Sequence, residues 1–402
     1  MLPSSTIDTI AAKLTSKIPP LYMMSKIALF SNLLILLFSS HIFAATKAIP
    51  DPPSFTADSF YLVDFESGRV LAEKDPDKVV EPASITKLMT AYLVDKALEA
   101  GDIKHSDLVT ISEKAWRMQG SKMFVEVGKQ VSVDDLMKGL VIQSGNDASV
   151  ALAEHVAGSE SAFVGYMNHQ AKVLGMKNTQ FQNATGWPAE GHYSTARDIA
   201  ILTAAIIREY PQTYQLYREK EYTYNGISQL NRNRLLWRDD TVDGVKTGHT
   251  EAAGYCLVAS ALQDDMRLIS VVLGTSSDKA RTDSSQSLLN YGFRFFETHR
   301  LYKANEVLKT ARLWRGEKEQ VDMGVGRDIY VTIPRGRYKE LDAAMEIEGK
   351  ISAPIAKGQK LGQVNISLDN KVIVTESIIA THAVAEGGFF SRTLDSIKLM
   401  FN

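Results

Sequence analysis

Cysteine is nearly absent: Cys256 is the only one in 402 residues. One thiol excludes an internal disulfide framework and any cysteine-based zinc site. It lies in Gly254-Tyr255-Cys256-Leu257-Val258, which reads as a strand, so a buried, inert thiol is expected. An excess of one charge is also missing. Lys plus Arg is 45, Asp plus Glu is 47, and the net charge is −2, which leaves no basic surplus to hold nucleic acid. The apolar run Ile27 to Phe43 is broken by Ser31, Asn32, Ser39, Ser40 and His41, which argues against a permanent transmembrane helix. Met23-Met24-Ser25-Lys26 precedes that run and Ala44-Ala45 follows it, so residues 1–45 read as an export signal cleaved after Ala44 or Ala45. Met1 to Tyr22 is unusual for such a signal, and Met23 or Met24 is an alternative start; an uncleaved anchor is the alternative to cleavage.

The hydrophobic content of 45% predicts a sizeable core, and the length allows two domains. Pro50 to Ser54 reads as a linker, and Phe60 to Phe65 with Arg69 to Ala72 as a β-hairpin across Ser67-Gly68. Next comes Pro82-Ala83-Ser84-Ile85-Thr86-Lys87, opening a long apolar helix that Gly101 stops. Helical spacing puts Ser84 and Lys87 on one face, where the amine can take the hydroxyl proton as the oxygen attacks a carbonyl. Ser-x-x-Lys alone is a weak signal, more readily an N-cap serine beside an exposed lysine, and it recurs here as Ser276-Ser277-Asp278-Lys279.

Two further stretches stand at connections. Ser144-Gly145-Asn146 lies between a helix from Asp134-Asp135 to Ile142 and another beginning at Asp147. It is either a plain turn or a second hydroxyl and a carboxamide held in place, one to pass a proton and one to hold a peptide group. Ser159 is expected to cap a helix through Leu174, and Ser194 to Asp198 a helix through Tyr210 with Asp198 in the capping-box position. In Val242-Asp243-Gly244-Val245-Lys246-Thr247-Gly248-His249-Thr250 the Asp-Gly pair predicts a turn delivering Lys246 to His249 onto a strand. There the ammonium faces an anion, Thr247 bonds a carboxylate, and Gly248 lets a ligand backbone approach. Strands at Tyr255 to Leu262 and Leu268 to Gly274 follow, joined at Asp264-Asp265.

Ser-x-x-Lys, then Ser-x-Asn, then Lys-Thr-Gly is the triplet of penicillin-recognising serine enzymes, and this order rejects Ser276, which falls after Lys-Thr-Gly. The chain resembles, nearly end to end, the low-molecular-mass penicillin-binding proteins that are D-alanyl-D-alanine carboxypeptidases. The matching stretches are Pro82 to Lys87, Gln143 to Ala148, Tyr193 to Asp198, Val242 to Thr250 and Tyr291 to Glu297. The resemblance implies an α+β catalytic domain over residues 46–305, an antiparallel sheet packed between helical lobes. It implies an enzyme at the periplasmic face of the inner membrane that trims the terminal D-alanine from peptidoglycan pentapeptides and is acylated by β-lactams, with no metal and no cofactor.

Carried over by position, Ser84 would form the acyl-enzyme and Lys87 would be the base, its pKa lowered from about 10.4 by desolvation and the Lys246 charge. Ser144 would relay a proton, Asn146 would hold the substrate amide, and Lys246, Thr247 and Arg281 would receive the terminal carboxylate. The N–H groups of Ser84 and His249 would form the oxyanion hole. Two departures stand out: the Arg117 to Lys122 loop is shorter than in the best-known members, and Thr185 stands where they carry a histidine.

Beyond Arg300 short β-rich runs recur, predicting a small all-β domain over 306–385 with a positioning or protein-contact role. In residues 386–402, Phe390, Leu394, Ile397 and Phe401 share a helix stripe, read as an interfacial membrane helix; a helix docked on its own domain would look the same. The rival functions are a D,D-endopeptidase, a serine β-lactamase and a non-catalytic cell-wall binding protein. Gly175 to Ala189 holds no Asp or Glu to activate a deacylating water, which counts against the β-lactamase.

Overall fold

The structure, a computed structural model, describes residues 49–400; the export-signal expectation for 1–45 lies outside the described residues, as does Phe401 of the C-terminal stripe. A five-stranded sheet runs in the order Val70–Lys74, Ser59–Asp64, Met266–Thr275, Gly254–Gln263, Val242–Thr250, each neighbouring pair antiparallel. Leu257, Val258, Ala259, Val271 and Val272 are all fully buried, so both sheet faces are covered, as uninterrupted apolar runs require. The helix Asp278–Phe295 packs on two of the central strands, approaching closely at Gly292, where a Cβ would lie 2.5 Å from Leu268 Cδ1. The helix Ala196–Glu209 packs on Ser59–Asp64 and Met266–Thr275. The strand carrying Lys-Thr-Gly is an edge of the sheet, so its outer backbone groups are open to an extended ligand.

Beside the sheet lies a helical lobe of Lys87–Ala100, Val133–Val141, Asn146–Ala157 and Glu160–Leu174. Leu88, Met89, Leu136, Leu140, Val150, Leu152, Phe163 and Met167 share one core cluster with sheet residues such as Val258 and Ile269. Capping follows local chemistry: Gly101 ends the first helix in the left-handed region at φ 77°, and Ser159 accepts the Ala162 N–H. Two expectations change in detail. Thr195 caps its helix through the Asp198 N–H, but the Asp198 carboxylate does not close a box; it accepts the Asn178 N–H and the Thr179 hydroxyl, tying down a preceding loop. Asp243-Gly244 forms no turn but a register shift inside the strand Val242–Thr250. Packing overrides the turn propensity there. Asp243 is held by Tyr214 Oη and Arg267, and a Cβ at Gly244 would sit 2.7 Å from Tyr214 Oη.

The β-rich region is a five-stranded antiparallel sheet in the order Lys309–Arg312, Gln320–Val325, Lys371–Ala380, Lys360–Leu368, Asp342–Ile347. It closes a core of its own around Val321, Met323, Val364, Ile366 and Ile378. Phe296–Tyr302 continues directly from the Asp278–Phe295 helix and pairs with Ile329–Pro334. Buried Asp64 secures the junction: its carboxylate accepts Ser67 N and Oγ at 2.8 and 2.7 Å and Thr298 Oγ1 at 2.7 Å, and Thr332 Oγ1 bonds both hydroxyls. The helix Phe389–Met400 leaves Phe389, Phe390, Leu394 and Ile397 exposed, while Asp395 on it accepts the Arg315 N–H at 2.8 Å.

Candidate active site

Ser84 sits in a short 3-10 turn, Ala83–Thr86, that leads into the Lys87–Ala100 helix. The sequence places it in the α-helix itself; the tighter turn follows from Ala83, held at φ 47°. Glycines from two distant segments make room for this turn. A Cβ on Gly186 would lie 1.7 Å from Ala83 O, and one on Gly248 would lie 3.1 Å from Pro82 O. Lys87, the next turn on, has no exposed surface. Its Nζ donates to Ser84 Oγ at 3.2 Å, Asn146 Oδ1 at 2.6 Å and Thr185 O at 2.6 Å, using all three ammonium hydrogens or two with the amine neutral. Burial pushes its pKa down to about 7; the Arg232 charge adds to this and Asp147 opposes it. The neighbour expected from the sequence was Lys246. That lysine is itself held well below its ordinary pKa by burial, then by Lys87, Arg232 and Arg281.

Ser144 occupies the left-handed region at φ 62°, a conformation uncommon for serine, in the connection between the Val133–Val141 and Asn146–Ala157 helices. Its Oγ accepts from Lys246 Nζ at 2.8 Å. Asn146 is more occupied than its sequence role requires: besides Lys87 it donates through Nδ2 to Gln119 O at 2.5 Å, and its backbone N–H reaches Ser121 O at 2.7 Å. The short Arg117 to Lys122 loop is therefore held directly against the site. Arg281, on the Asp278–Phe295 helix, donates to Gly248 O at 3.1 Å and Cys256 O at 3.3 Å and pairs with Asp278. It thereby clamps the Lys-Thr-Gly strand from behind. The His249 ring is exposed and stacks on Tyr255 with centroids 4.0 Å apart.

Ser84, Ser144, Thr247, Gly248, His249 and Arg281 all line one cleft of about 180 Å³. Lys87, Lys246 and Asn146 stand immediately behind it, bonded to Ser84, Ser144 and Lys87 respectively. The second Ser-x-x-Lys is elsewhere in role: Ser277 caps the Asp278–Phe295 helix and Lys279 is exposed and paired with Asp283.

Three residues were missed by sequence reasoning. Arg232 lines the same cleft; in Asn231-Arg232-Asn233-Arg234 it reads as a solvated loop charge. Asp147 accepts four backbone N–H groups, from Met123, Phe124, Val125 and Ala148, at 2.9 to 3.3 Å, pinning the loop that holds Asn146. His192 is buried, accepts the Gln182 N–H at Nδ1 and so donates from Nε2 to Thr86 Oγ1 at 2.8 Å. Burial lowers its pKa to about 4, so it stays neutral. Thr185, the expected departure, supplies its backbone oxygen to Lys87. Among the described residues no cluster of His, Cys, Asp and Glu has the makings of a metal site.

This geometry has counterparts. The D-alanyl-D-alanine carboxypeptidase family matches residues 46–277, and the C-terminal domain of penicillin-binding protein 5 matches residues 296–386. The D-alanyl-D-alanine carboxypeptidase DacA of Escherichia coli (strain K12) is 47% identical over 362 residues, 88% of this chain and 90% of that protein. Penicillin-binding protein 5 from Haemophilus influenzae superposes with a TM-score of 0.81 at 44% identity, covering 84% of this chain and all of that one. Penicillin-binding protein D2 from Listeria monocytogenes, solved in an ampicillin-bound form, superposes with a TM-score of 0.56 at 30% identity over 60% of this chain and 99% of that one.

Proposed function

This chain belongs to the D-alanyl-D-alanine carboxypeptidase family of serine hydrolases, and from that membership we propose that Ser84 is the nucleophile that cleaves the terminal D-alanine from peptidoglycan pentapeptides. The observation that carries this reading is the buried Lys87 amine, 3.2 Å from Ser84 Oγ and fixed by Asn146 and Thr185. With a pKa near 7 it is neutral in a useful fraction at physiological pH and accepts the hydroxyl proton as Oγ attacks the penultimate carbonyl. The N–H groups of Ser84 and His249 receive the oxyanion. Thr247 and Arg281, with Lys246 behind them, take the terminal carboxylate, in a cleft lined by the Arg232 and Arg281 guanidiniums. Ser144, bonded to Lys246, hands a proton to the departing amine. Water then hydrolyses the ester, with Lys87 again taking the proton.

A β-lactam enters the same cycle, because its strained amide presents a carbonyl to Ser84 and a carboxylate to the Lys-Thr-Gly strand. Its leaving amine stays tethered, which hinders the water step. The chain is read as working outside the cytoplasmic membrane, with 306–385 as a positioning domain. The 386–402 segment is read as an interfacial helix: Phe389, Phe390, Leu394 and Ile397 face outward while Asp395 is tied to the domain. No helix among the described residues is long and apolar enough to span a membrane.

Intact mass after benzylpenicillin, with Ser84→Ala alongside, tests the nucleophile: a long-lived adduct on the wild type alone is expected. D-alanine release from a pentapeptide separates a carboxypeptidase from an endopeptidase, and rapid penicillin loss without an adduct would point to a β-lactamase. A protein lacking residues 389–402 should leave the membrane fraction; retention there would overturn the interfacial reading.

A further inference from the structure

Two larger cavities flank the reaction cleft. One, of about 590 Å³, shares Ser84, Ser121 and His249 with the cleft and is walled by Trp187 and Glu251. The other, of about 530 Å³, shares Arg232 and Arg281 with it and is completed by Leu230, Arg234, Trp237 and Asp278. A stem peptide that acylates Ser84 and places its terminal carboxylate on Thr247 and Arg281 has its leaving residue on the arginine side. Whatever extends from that residue meets the second cavity. The methyl side chain of D-alanine leaves it almost unfilled.

The chemistry of this cavity is specific. Three guanidiniums face a single carboxylate, Asp278, which pairs with Arg281 and, at 3.2 Å, with Arg234. Arg232 enters no ion pair or hydrogen bond among the described residues, and the Arg281 Nε is buried without an acceptor. Arg232 is exposed and its donors meet water, and the Arg281 Nε is the donor open to the terminal carboxylate; with Asp278 and that carboxylate set against the three guanidiniums, one positive charge remains to attract a second anion. Trp237, 46% exposed, adds a flat apolar wall along which methylene groups can lie.

We infer that this cavity is a leaving-side subsite for a terminal D-residue with an acidic side chain, so that the enzyme also cleaves stem peptides ending in D-Ala-D-Glu and releases the acidic D-amino acid. The inference rests on the Ser84 reading above. The bond changes are the same. The Ser84 Oγ–carbonyl bond forms and the carbonyl–nitrogen bond to the D-glutamate amine breaks. The serine proton reaches that amine through the site, and water hydrolyses the ester.

The test compares kcat/KM of the full chain for diacetyl-L-Lys-D-Ala-D-X, where X is Ala, Glu, Gln or Lys. D-Glu should exceed its neutral isostere D-Gln by about tenfold, one charge-assisted hydrogen bond's worth, with D-Lys below both. In Arg232→Gln and Arg234→Gln the Glu-to-Gln ratio should fall toward one; because it is a ratio, a general loss of activity or folding does not mimic the effect. A wild-type ratio of one with D-Ala release intact overturns the subsite and leaves the Ser84 reading standing. A ratio that survives both substitutions overturns it equally. No D-Ala release at all overturns both readings together.

Discussion

The catalytic region and the β-rich region handle polar groups in opposite ways. The first buries Lys87, Asp95, Asp147, Asp198, Lys246 and Arg281, each a group whose ionised form is costly in a low-dielectric interior. The second has an interior of Val, Ile, Leu, Met and Ala with Trp314 at its edge, and Thr298 and Thr332 are its buried polar residues among those described. Its charges stand at the rim in pairs such as Arg327 with Glu376 and Arg337 with Asp369. The contrast separates two kinds of stability. In the β-rich region apolar packing holds the fold. In the catalytic region part of the packing free energy is offset by burying charged groups, and burial lowers the pKa of the Lys87 and Lys246 amines beside the candidate nucleophile.

Substitutions can break this contrast or sharpen it. The largest effect is expected from Lys87→Met: kcat/KM for D-alanine release should fall about 10³-fold, as for loss of a general base. Stability should drop by only about 1–3 kcal/mol, from the buried acceptors on Asn146 and Thr185 left unpaired. In the wild type kcat/KM should rise with pH, reach half its plateau near pH 7 and level off above it, because the base acts only when its amine has lost its proton; a flat profile through pH 7 would remove Lys87 from that role. Ile366→Ala, at a fully buried site in the β-rich core, should give the reverse pattern. It should cost about 2–5 kcal/mol in urea unfolding with kcat unchanged below the transition; a parallel loss of activity would break the contrast.

His192 adds a pH signature to the catalytic region. Its folded pKa, about 4, lies below the unfolded value, so the unfolded chain binds the extra proton first as pH falls. Stability is full above pH 6.5 and should decline by about 3 kcal/mol toward pH 4. Urea midpoints across that range should show the slope, and His192→Gln should flatten it. The smallest effect belongs to the rim: Arg327→Gln, in an exposed pair, should move Tm by no more than about 2 °C.

What was legible in the sequence was local. Ser84 and Lys87 could be paired because helix geometry alone sets a three-residue spacing, and the edge strand could be found because Lys-Thr-Gly precedes two long apolar strands. Asp147 was quoted within a motif yet its work was invisible, since it acts on Met123 to Val125, brought back by a loop whose path no periodicity encodes. Arg232 was hidden for the opposite reason: charged and flanked by asparagines, it has the local chemistry of any solvated turn. Asp243-Gly244 misled because its turn propensity is real but weaker than the packing of Tyr214 and Tyr217 against it. The C-terminal helix was legible as amphipathic, but not that Asp395 would fix which side faces outward.

The two glycines that press on the nucleophile turn set a limit on how this enzyme can escape inhibition. A drug-resistant variant has to reshape its cleft while keeping Ser84 in register. Any side chain at 186 would meet the Ala83 carbonyl, and any at 248 would crowd Pro82 and Ile85. A side chain at 186 therefore requires the Ala83 carbonyl beside the serine to move, and one at 248 requires Pro82 or Ile85 to give way. Change is freer at walls of the site that stand outside the Ala83–Thr86 turn, such as Trp187 in the flanking cavity and Arg232 in the cleft itself.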